Sequence, residues 1–318
     1  MSNPSSQSEP ASQASQSSQA SQFSQSIQQA SALLPIGVFD SGVGGLTVAR
    51  ELKQRLPYES ILYFGDTLRC PYGPRPLHEV EAFALQISKW LANEQVKLIV
   101  IACNSATAAG LETIQRSLPI PVIGVIEPGA RAAVKATVSR RVGVIGTIAT
   151  IESSAYTRAI RAIDAGITVF SAATPRFVEI VEQGMRLDRN PLEDIMAQTA
   201  SLYIRPAFAE IARDYLDPLK RCNIDSLVLG CTHYPLLVPL IRSIMGPNMR
   251  LISSAAETAS EVADTLERRG QMAAPTTAPR YRFATTATDP TDFIQLGDAI
   301  FGSPLGEVQV VGLDKLQA

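Results

Sequence analysis

Two short phrases in the chain place a thiol where it could move a proton. Leu98-Ile-Val-Ile-Ala-Cys103-Asn-Ser105 and Leu227-Val-Leu-Gly-Cys231-Thr-His233 share one form: an apolar run, a small residue, a cysteine, then amide or hydroxyl residues. Each cysteine falls at the carboxyl end of an expected strand and the start of an expected helix. Open α/β sheets bind ligands there, and the helix macrodipole favours negative charge. A thiol of ordinary pKa ~8.5 is brought down toward neutrality in such a setting and can serve as a base. One buried cysteine is ordinarily a small hydrophobe. Two in matched settings, on sheets that face each other, are an acid and a base. Cys70 and Cys222 lack the setting, so packing is their expected role, although Cys70 stands in a loop near other candidate residues.

Two further segments, and the histidine that ends the second phrase, offer groups to the same cleft. The first expected strand ends in Asp40-Ser41-Gly42-Val43-Gly44-Gly45-Leu46. Read as a dinucleotide fingerprint it fails, because Thr47 stands where the third glycine is needed and Asp40 would repel a pyrophosphate. Asp40 and Ser41 suit a cationic group such as an amino acid's ammonium; the plainer alternative is an N-cap Ser41 beside a solvated Asp40. The loop Gly65 to Pro74 is long and rich in Gly and Pro, and Tyr72 and Gly73 could present a hydroxyl and a close backbone N–H. His233, two residues after Cys231, is placed to orient or protonate a thiol. A zinc reading lacks ligands, so no metal is expected. His78, the other histidine, opens a helix and has no such neighbour.

The elements that must position these groups follow one rhythm. Apolar runs at 36–39, 61–64, 98–102, 122–125, 142–145, 168–170, 227–229 and 251–252 alternate with helical spacing at 46–55, 77–93, 105–117, 151–163 and 235–245. Such alternation predicts βαβ units and an α/β fold with parallel sheet covered by helices. A long helical segment broken near Pro206 is expected over 193–219, and 269–279 reads as a polar insertion before apolar spacing resumes at Tyr281.

Composition narrows the partners. Lys and Arg total 28 against 30 Asp and Glu, a net charge of −2 that leaves no basic excess for nucleic acid. Apolar runs are too short for a membrane span, and neither a secretory nor a transit signal is legible at the start. A cytoplasmic protein with reduced cysteines is expected. The opening residues, dominated by Ser and Gln, cannot bury enough apolar surface to offset ordering entropy and predict a disordered tail.

Taken together these residues resemble the glutamate racemases of the cofactor-independent aspartate/glutamate racemase family. The resemblance runs from about Ile36 to Leu313. It rests on Gly37 to Leu46, Tyr63 to Thr67 with Pro71-Tyr-Gly73, Ala102 to Ala106, Gly143 to Thr147 with Thr150, Phe177 to Gly184, and Leu229 to Leu236. It implies two similar α/β lobes with a cleft between them: a tail over 1–35, lobe one over 36–128 plus 237–318, and lobe two over 129–236. Cys103 and Cys231 are implied as the acid–base pair, Cys103 taking the proton from D-glutamate and Cys231 from L-glutamate, with Asp40, Glu182 and His233 assisting. The implied substrate contacts are Asp40, Ser41, Tyr72, Gly73, Asn104, Ser105, Thr147, Thr150, Thr232 and His233. Asp66 matches a family position and is expected to support its loop. Ser105 stands where the family usually has Thr, which keeps the hydroxyl and loses a methyl.

The resemblance also implies D-glutamate supply for peptidoglycan, no cofactor, a homodimer, and in some relatives a peptidoglycan-precursor activator. Inversion at Cα independently calls for a base on one face and an acid on the other. The motifs hold no lysine for a pyridoxal Schiff base, so dipoles and hydroxyls must stabilise the carbanion. Competing readings are a racemase for aspartate, a non-catalytic amino-acid-binding protein, and a nicotinamide-dependent oxidoreductase.

Overall fold

The computed structural model describes residues 31–187 and 206–317. The expected tail up to residue 30, and residues 193–205 of the expected long helical segment, lie outside the described residues. In chain order the strands are β1 (Ile36–Asp40), β2 (Ile61–Gly65), β3 (Leu98–Ile101), β4 (Val122–Gly124), β5 (Arg141–Gly146), β6 (Thr168–Ala173), β7 (Ser226–Gly230), β8 (Arg250–Ser253), β9 (Tyr281–Thr285) and β10 (Val308–Val310). The helices are α1 (Leu46–Arg55), α2 (Leu77–Asn93), α3 (Asn104–Ser117), α4 (Ile126–Ala136), α5 (Ile148–Glu152), α6 (Ala155–Ile163), α7 (Arg176–Leu187), α8 (Pro206–Arg221), α9 (Val238–Met245), α10 (Ser254–Arg268) and α11 (Thr291–Phe301).

Among the described residues every strand pairing is parallel. One sheet has six strands in the order β10-β9-β2-β1-β3-β4, the other four in the order β6-β5-β7-β8. β1, β2, β3 and β7 are buried along their whole length, which is why their sequences run apolar without alternation. This is the expected α/β class with two parallel sheets.

Strand order decides where ligands fit. In the first sheet the chain passes from β1 to β2 on one side and then to β3 on the other, so the crevice at the carboxyl ends of β1 and β3 is a topological switch point. The second sheet repeats the device, with β6 on one side of β5 and β7 on the other. Asp40 and Cys103 leave the first switch point; Thr147 and Cys231 leave the second.

Several boundaries differ from the sequence expectation. The second sheet does not end near residue 236: β8, at 250–253, pairs with β7 from Ser226↔Arg250 to Leu229↔Ser253. The apolar run at 251–252 is thus edge strand of the second sheet, and the chain returns to the first only afterwards. The expected helix 151–163 is two pieces, because Ser154 adopts φ +55° and breaks it between α5 and α6. The segment after Tyr281 supplies β9 and β10, whose sequences are short and half polar, and extends the first sheet beyond β2.

A buried ion pair fastens the end of the first sheet opposite the crevice. Lys97 Nζ meets Glu59 Oε2 at 2.5 Å and also donates to the carbonyls of Ala32 and Gln271 at 2.7 and 2.9 Å. Residues 32–35, expected as part of the tail, and the start of the 269–279 insertion are therefore tied to one buried ammonium. No helix among the described residues is long and apolar enough to cross a membrane.

Candidate active site

At the first switch point Asp40 ends β1 almost fully buried. Its Oδ2 accepts from the N–H of Gly45 at 2.9 Å and of Gly42 at 3.3 Å, while Oδ1 is buried with no hydrogen-bond partner among the described residues. Asp40, rather than Ser41, thus satisfies the backbone at the start of α1. Gly45 permits this approach, since a Cβ there would lie 2.5 Å from Asp40 Cβ. Across the crevice Cys103 precedes α3 in an extended conformation, followed by Asn104 and Ser105 in its first turn.

The expected lowering of the Cys103 thiol is reversed. Burial, and then the Asp40 carboxylate, push it well above the usual thiol range, outweighing the backbone N–H groups of Ala106 and Ser41. A helix start attracts charge, but a thiol removed from water loses more hydration than those dipoles return.

At the second switch point Thr147 caps α5, and Cys231, Thr232 and His233 follow β7. The matched helix start expected after Cys231 is not there: Tyr234–Leu237 is a single 3₁₀ turn, and α9 begins only at Val238. Pro239 lacks the N–H that a helix begun earlier would bond to the Pro235 carbonyl. Electrostatic help comes from His233. Its Nδ1 lies 3.9 Å from Cys231 Sγ, and its Nε2 lies 3.4 Å from Glu182 Oε1, an ion-pair distance without hydrogen-bond alignment. Burial works against the charged imidazole, but Cys231 and Glu182 outweigh it and push His233 up to about 10.

The two switch points open into one cavity of about 520 Å³. Asp40, Ser41, Cys103, Asn104 and Ser105 line it from the first sheet, and Thr147, Cys231, Thr232 and His233 from the second. Glu182 reaches it from α7. Ser105 Oγ shares hydrogen bonds with Thr147 Oγ1 at 2.8 Å and Thr150 Oγ1 at 3.4 Å, joining the sheets through three hydroxyls. Thr150 is buried behind Ser105 and Thr147 and does not itself line the cavity.

The 65–74 loop closes one wall. Gly73 packs so tightly on Thr147 that an added Cβ would stand 2.8 Å from Thr147 Cβ, and its carbonyl accepts from the N–H of Ala149 at 2.9 Å. Tyr72 lines the cavity, and its hydroxyl donates to Asp66 Oδ2. Asp66 also accepts from Arg69 Nε at 2.7 Å and from the Thr286 hydroxyl at 2.9 Å, so it anchors the loop to the residue following β9.

Cys70, expected to pack, lines the cavity as well; burial, with help from the Asp40 and Glu182 carboxylates, pushes its thiol up to about 12. Glu179, Asp292 and Phe293 line the cavity too and carry no local signal, because they arrive on helices far along the chain. Among the described residues that line the cavity there is no Lys or Arg. Among the described residues no group of three or more His, Cys, Asp or Glu is arranged to hold a metal ion.

The sequence model of one protein family, described as Asp/Glu/Hydantoin racemase, matches residues 45–262. The chain belongs to that family. Within this racemase family it is 45% identical over 280 residues to the glutamate racemase of Bacillus cereus, covering 88% of this chain and 97% of the relative. Among solved structures it resembles a glutamate racemase isoform from Bacillus anthracis with TM-score 0.78 and 42% identity, over 88% of this chain and 98% of the other. It also resembles the glutamate racemase of Francisella tularensis in complex with D-glutamate, with TM-score 0.78 and 33% identity over 89% and 99% of the two chains. The racemase match spans both cysteines and the second switch point, while β1 and Asp40 lie just before it.

Proposed function

We propose that the protein interconverts L- and D-glutamate by proton transfer at Cα, with Cys103 and Cys231 as the two acid–base groups. The observation that carries the reading is the pair of thiols set at two switch points that open on one cavity. One thiolate removes the Cα proton from one face, and the opposite thiol delivers its proton to the other. The pair of electrons left at Cα passes into the adjacent carboxylate and returns as the new C–H bond forms. Cys103, raised by burial and by Asp40, rests as the thiol. The charged imidazole of His233 stands 3.9 Å from Cys231 Sγ, beside the second thiol.

The unpaired Asp40 Oδ1 and the Ser41 hydroxyl suit the substrate ammonium, and the unpaired Asn104 Nδ2 suits a carboxylate. The Thr147 and Thr232 hydroxyls stand beside them. Tyr72 acts through its bond to Asp66, and Gly73 through its contact with Thr147. Closure of the two lobes excludes water from the carbanion. Four free thiols accord with a cytoplasmic protein, and D-glutamate supply for peptidoglycan is the role that follows from the reaction.

Optical activity followed with L-glutamate and, separately, L-aspartate tests the substrate. Cys103→Ala and Cys231→Ala should each lose roughly 10²- to 10⁴-fold in kcat. Either variant racemising glutamate at the wild-type rate would overturn the two-thiol reading. Binding without Cα deuterium uptake from heavy water would make the chain an amino-acid-binding protein instead. Sedimentation, and the same assay with a nucleotide-linked peptidoglycan precursor added, test the homodimer and the activator that the resemblance implies.

A further inference from the structure

One buried phenol touches both cysteine-bearing turns. Tyr156, on α6, is almost fully buried, and its hydroxyl donates to Asn104 Oδ1 at 2.8 Å. Its ring lies against Gly230, where an added Cβ would stand 3.2 Å from Tyr156 Cε2. Asn104 immediately follows Cys103, and Gly230 immediately precedes Cys231. Beneath the ring is Gly129, where a Cβ would come within 3.1 Å of the phenol oxygen. The chain leaves room for one rigid side chain to span from the second sheet to the first helix turn after Cys103.

That contact decides which way an amide faces. A carboxamide has two orientations of nearly equal shape, with oxygen and NH₂ exchanged, and its partners select between them. Burial raises the Tyr156 phenol above its ordinary range, outweighing the nearby Ser254 side chain, so it keeps its proton and donates it to Asn104 Oδ1. With Oδ1 engaged there, Asn104 Nδ2 faces the other way. It is buried, has no partner among the described residues, and belongs to a residue lining the cavity.

We propose that Tyr156 is a positioning residue for the racemisation: by holding Asn104 Oδ1 it turns the Asn104 NH₂ into the cavity as a donor to the substrate carboxylate beside Cα. The inference rests on the glutamate racemase reading above and adds a residue to it. Without the phenol hydroxyl the amide is free to turn, and in half of its orientations it presents an oxygen to a carboxylate. Negative charge grows on that carboxylate as the Cα proton leaves, so the loss falls on kcat more than on KM.

Tyr156→Phe keeps the ring and removes only the hydroxyl. Its kcat/KM for glutamate should fall about tenfold, as expected for one hydrogen bond to a charged group. In an Asn104→Ala background the same substitution should change kcat/KM by less than about twofold. A Tyr156→Phe enzyme within about twofold of wild type, or one that loses the same tenfold on top of Asn104→Ala, overturns the proposal; the second outcome would mark a purely structural phenol. If Tyr156→Phe does not fold, Asn104→Asp carries the test. It can still accept from Tyr156 but has no NH₂, so it should lose at least about tenfold, and retention of activity would overturn the role. A wild-type chain that does not racemise glutamate would instead refute the functional reading, which is a separate result.

Discussion

Gly44 stands where the two halves of the site meet, and replacing it with Ala should cost activity through distance alone. A Cβ built there would lie 2.4 Å from Thr232 Oγ1 and 2.5 Å from both Cε1 and Nδ1 of His233. Ordinary contacts begin near 3.4 Å, so something must move by about 1 Å. The glycine side resists, because the Gly44 carbonyl accepts from Thr47 Oγ1 at 2.8 Å and from Thr47 N at 3.0 Å. The shift therefore falls on Thr232 and His233, whose imidazole bridges Cys231 at 3.9 Å and Glu182 at 3.4 Å. A displacement of about 1 Å at a reacting group costs on the order of 10²-fold in rate, and overpacking a tight contact costs about 1–3 kcal/mol of stability. Separating His233 from both anions should also lower its pKa from about 10.

The assay is conversion of each glutamate enantiomer followed by circular dichroism, with thermal unfolding on the same samples. The enantiomers are equally stable, so kcat/KM must fall by the same factor in both directions. Gly246→Ala is the control: Gly246 has φ +94° with nothing within 4 Å of an added Cβ, so it should lose stability through backbone strain and keep its kcat. A folded Gly44→Ala enzyme with kcat within about threefold of wild type would refute the argument that this contact holds His233 in place.

Two other outcomes follow from the buried charges. Lys97→Met strands the buried Glu59 carboxylate and should destabilise the fold by about 3–5 kcal/mol in urea unfolding, with kcat unchanged because Lys97 lies at the end of β3 opposite Cys103. Replacing both partners by apolar residues should recover most of that loss, and a single variant within about 1 kcal/mol of wild type would contradict the pairing. For His233, the folded pKa of about 10 lies above the ordinary value of 6.5, so its contribution to stability is complete below about pH 6.5 and is lost as pH rises through about 10. His233→Gln should flatten the stability profile across that interval, and an unchanged slope would show that the imidazole is not held charged.

Much of the framework was legible because it depends on neighbours in the chain. The apolar runs at 36–39, 61–64, 98–102 and 227–229 became buried parallel strands, and the Asp40 to Gly45 turn became the entry to α1. The two cysteine phrases did mark the ends of β3 and β7, and thirteen expected site residues fell in or directly behind one cavity. What escaped was non-local. Nothing near Arg250 in the chain tells that β8 pairs with β7, nothing near Cys70 says that its loop folds back over Asp40, and Tyr156 is an ordinary aromatic until Asn104 is brought to its hydroxyl. The 3₁₀ turn after Cys231 parts the two cysteine phrases, because the second alone is followed by Pro239, which cannot take the helical hydrogen bond an earlier start needs.

By itself the sequence determined the α/β class, the position of each thiol at a strand end, and the chemistry those residue types allow. These are consequences of local periodicity, turn residues and side-chain identity. Only the tertiary structure decided that the two switch points share a cavity, that Asp66 and Tyr156 hold its walls, and which way each group is shifted. Burial raises Cys103 where the helix start alone predicted a lower value, and Cys231 and Glu182 hold His233 charged against its burial. Desolvation and the field of distant charges depend on where the whole chain has placed its atoms, and no window of the sequence contains that information.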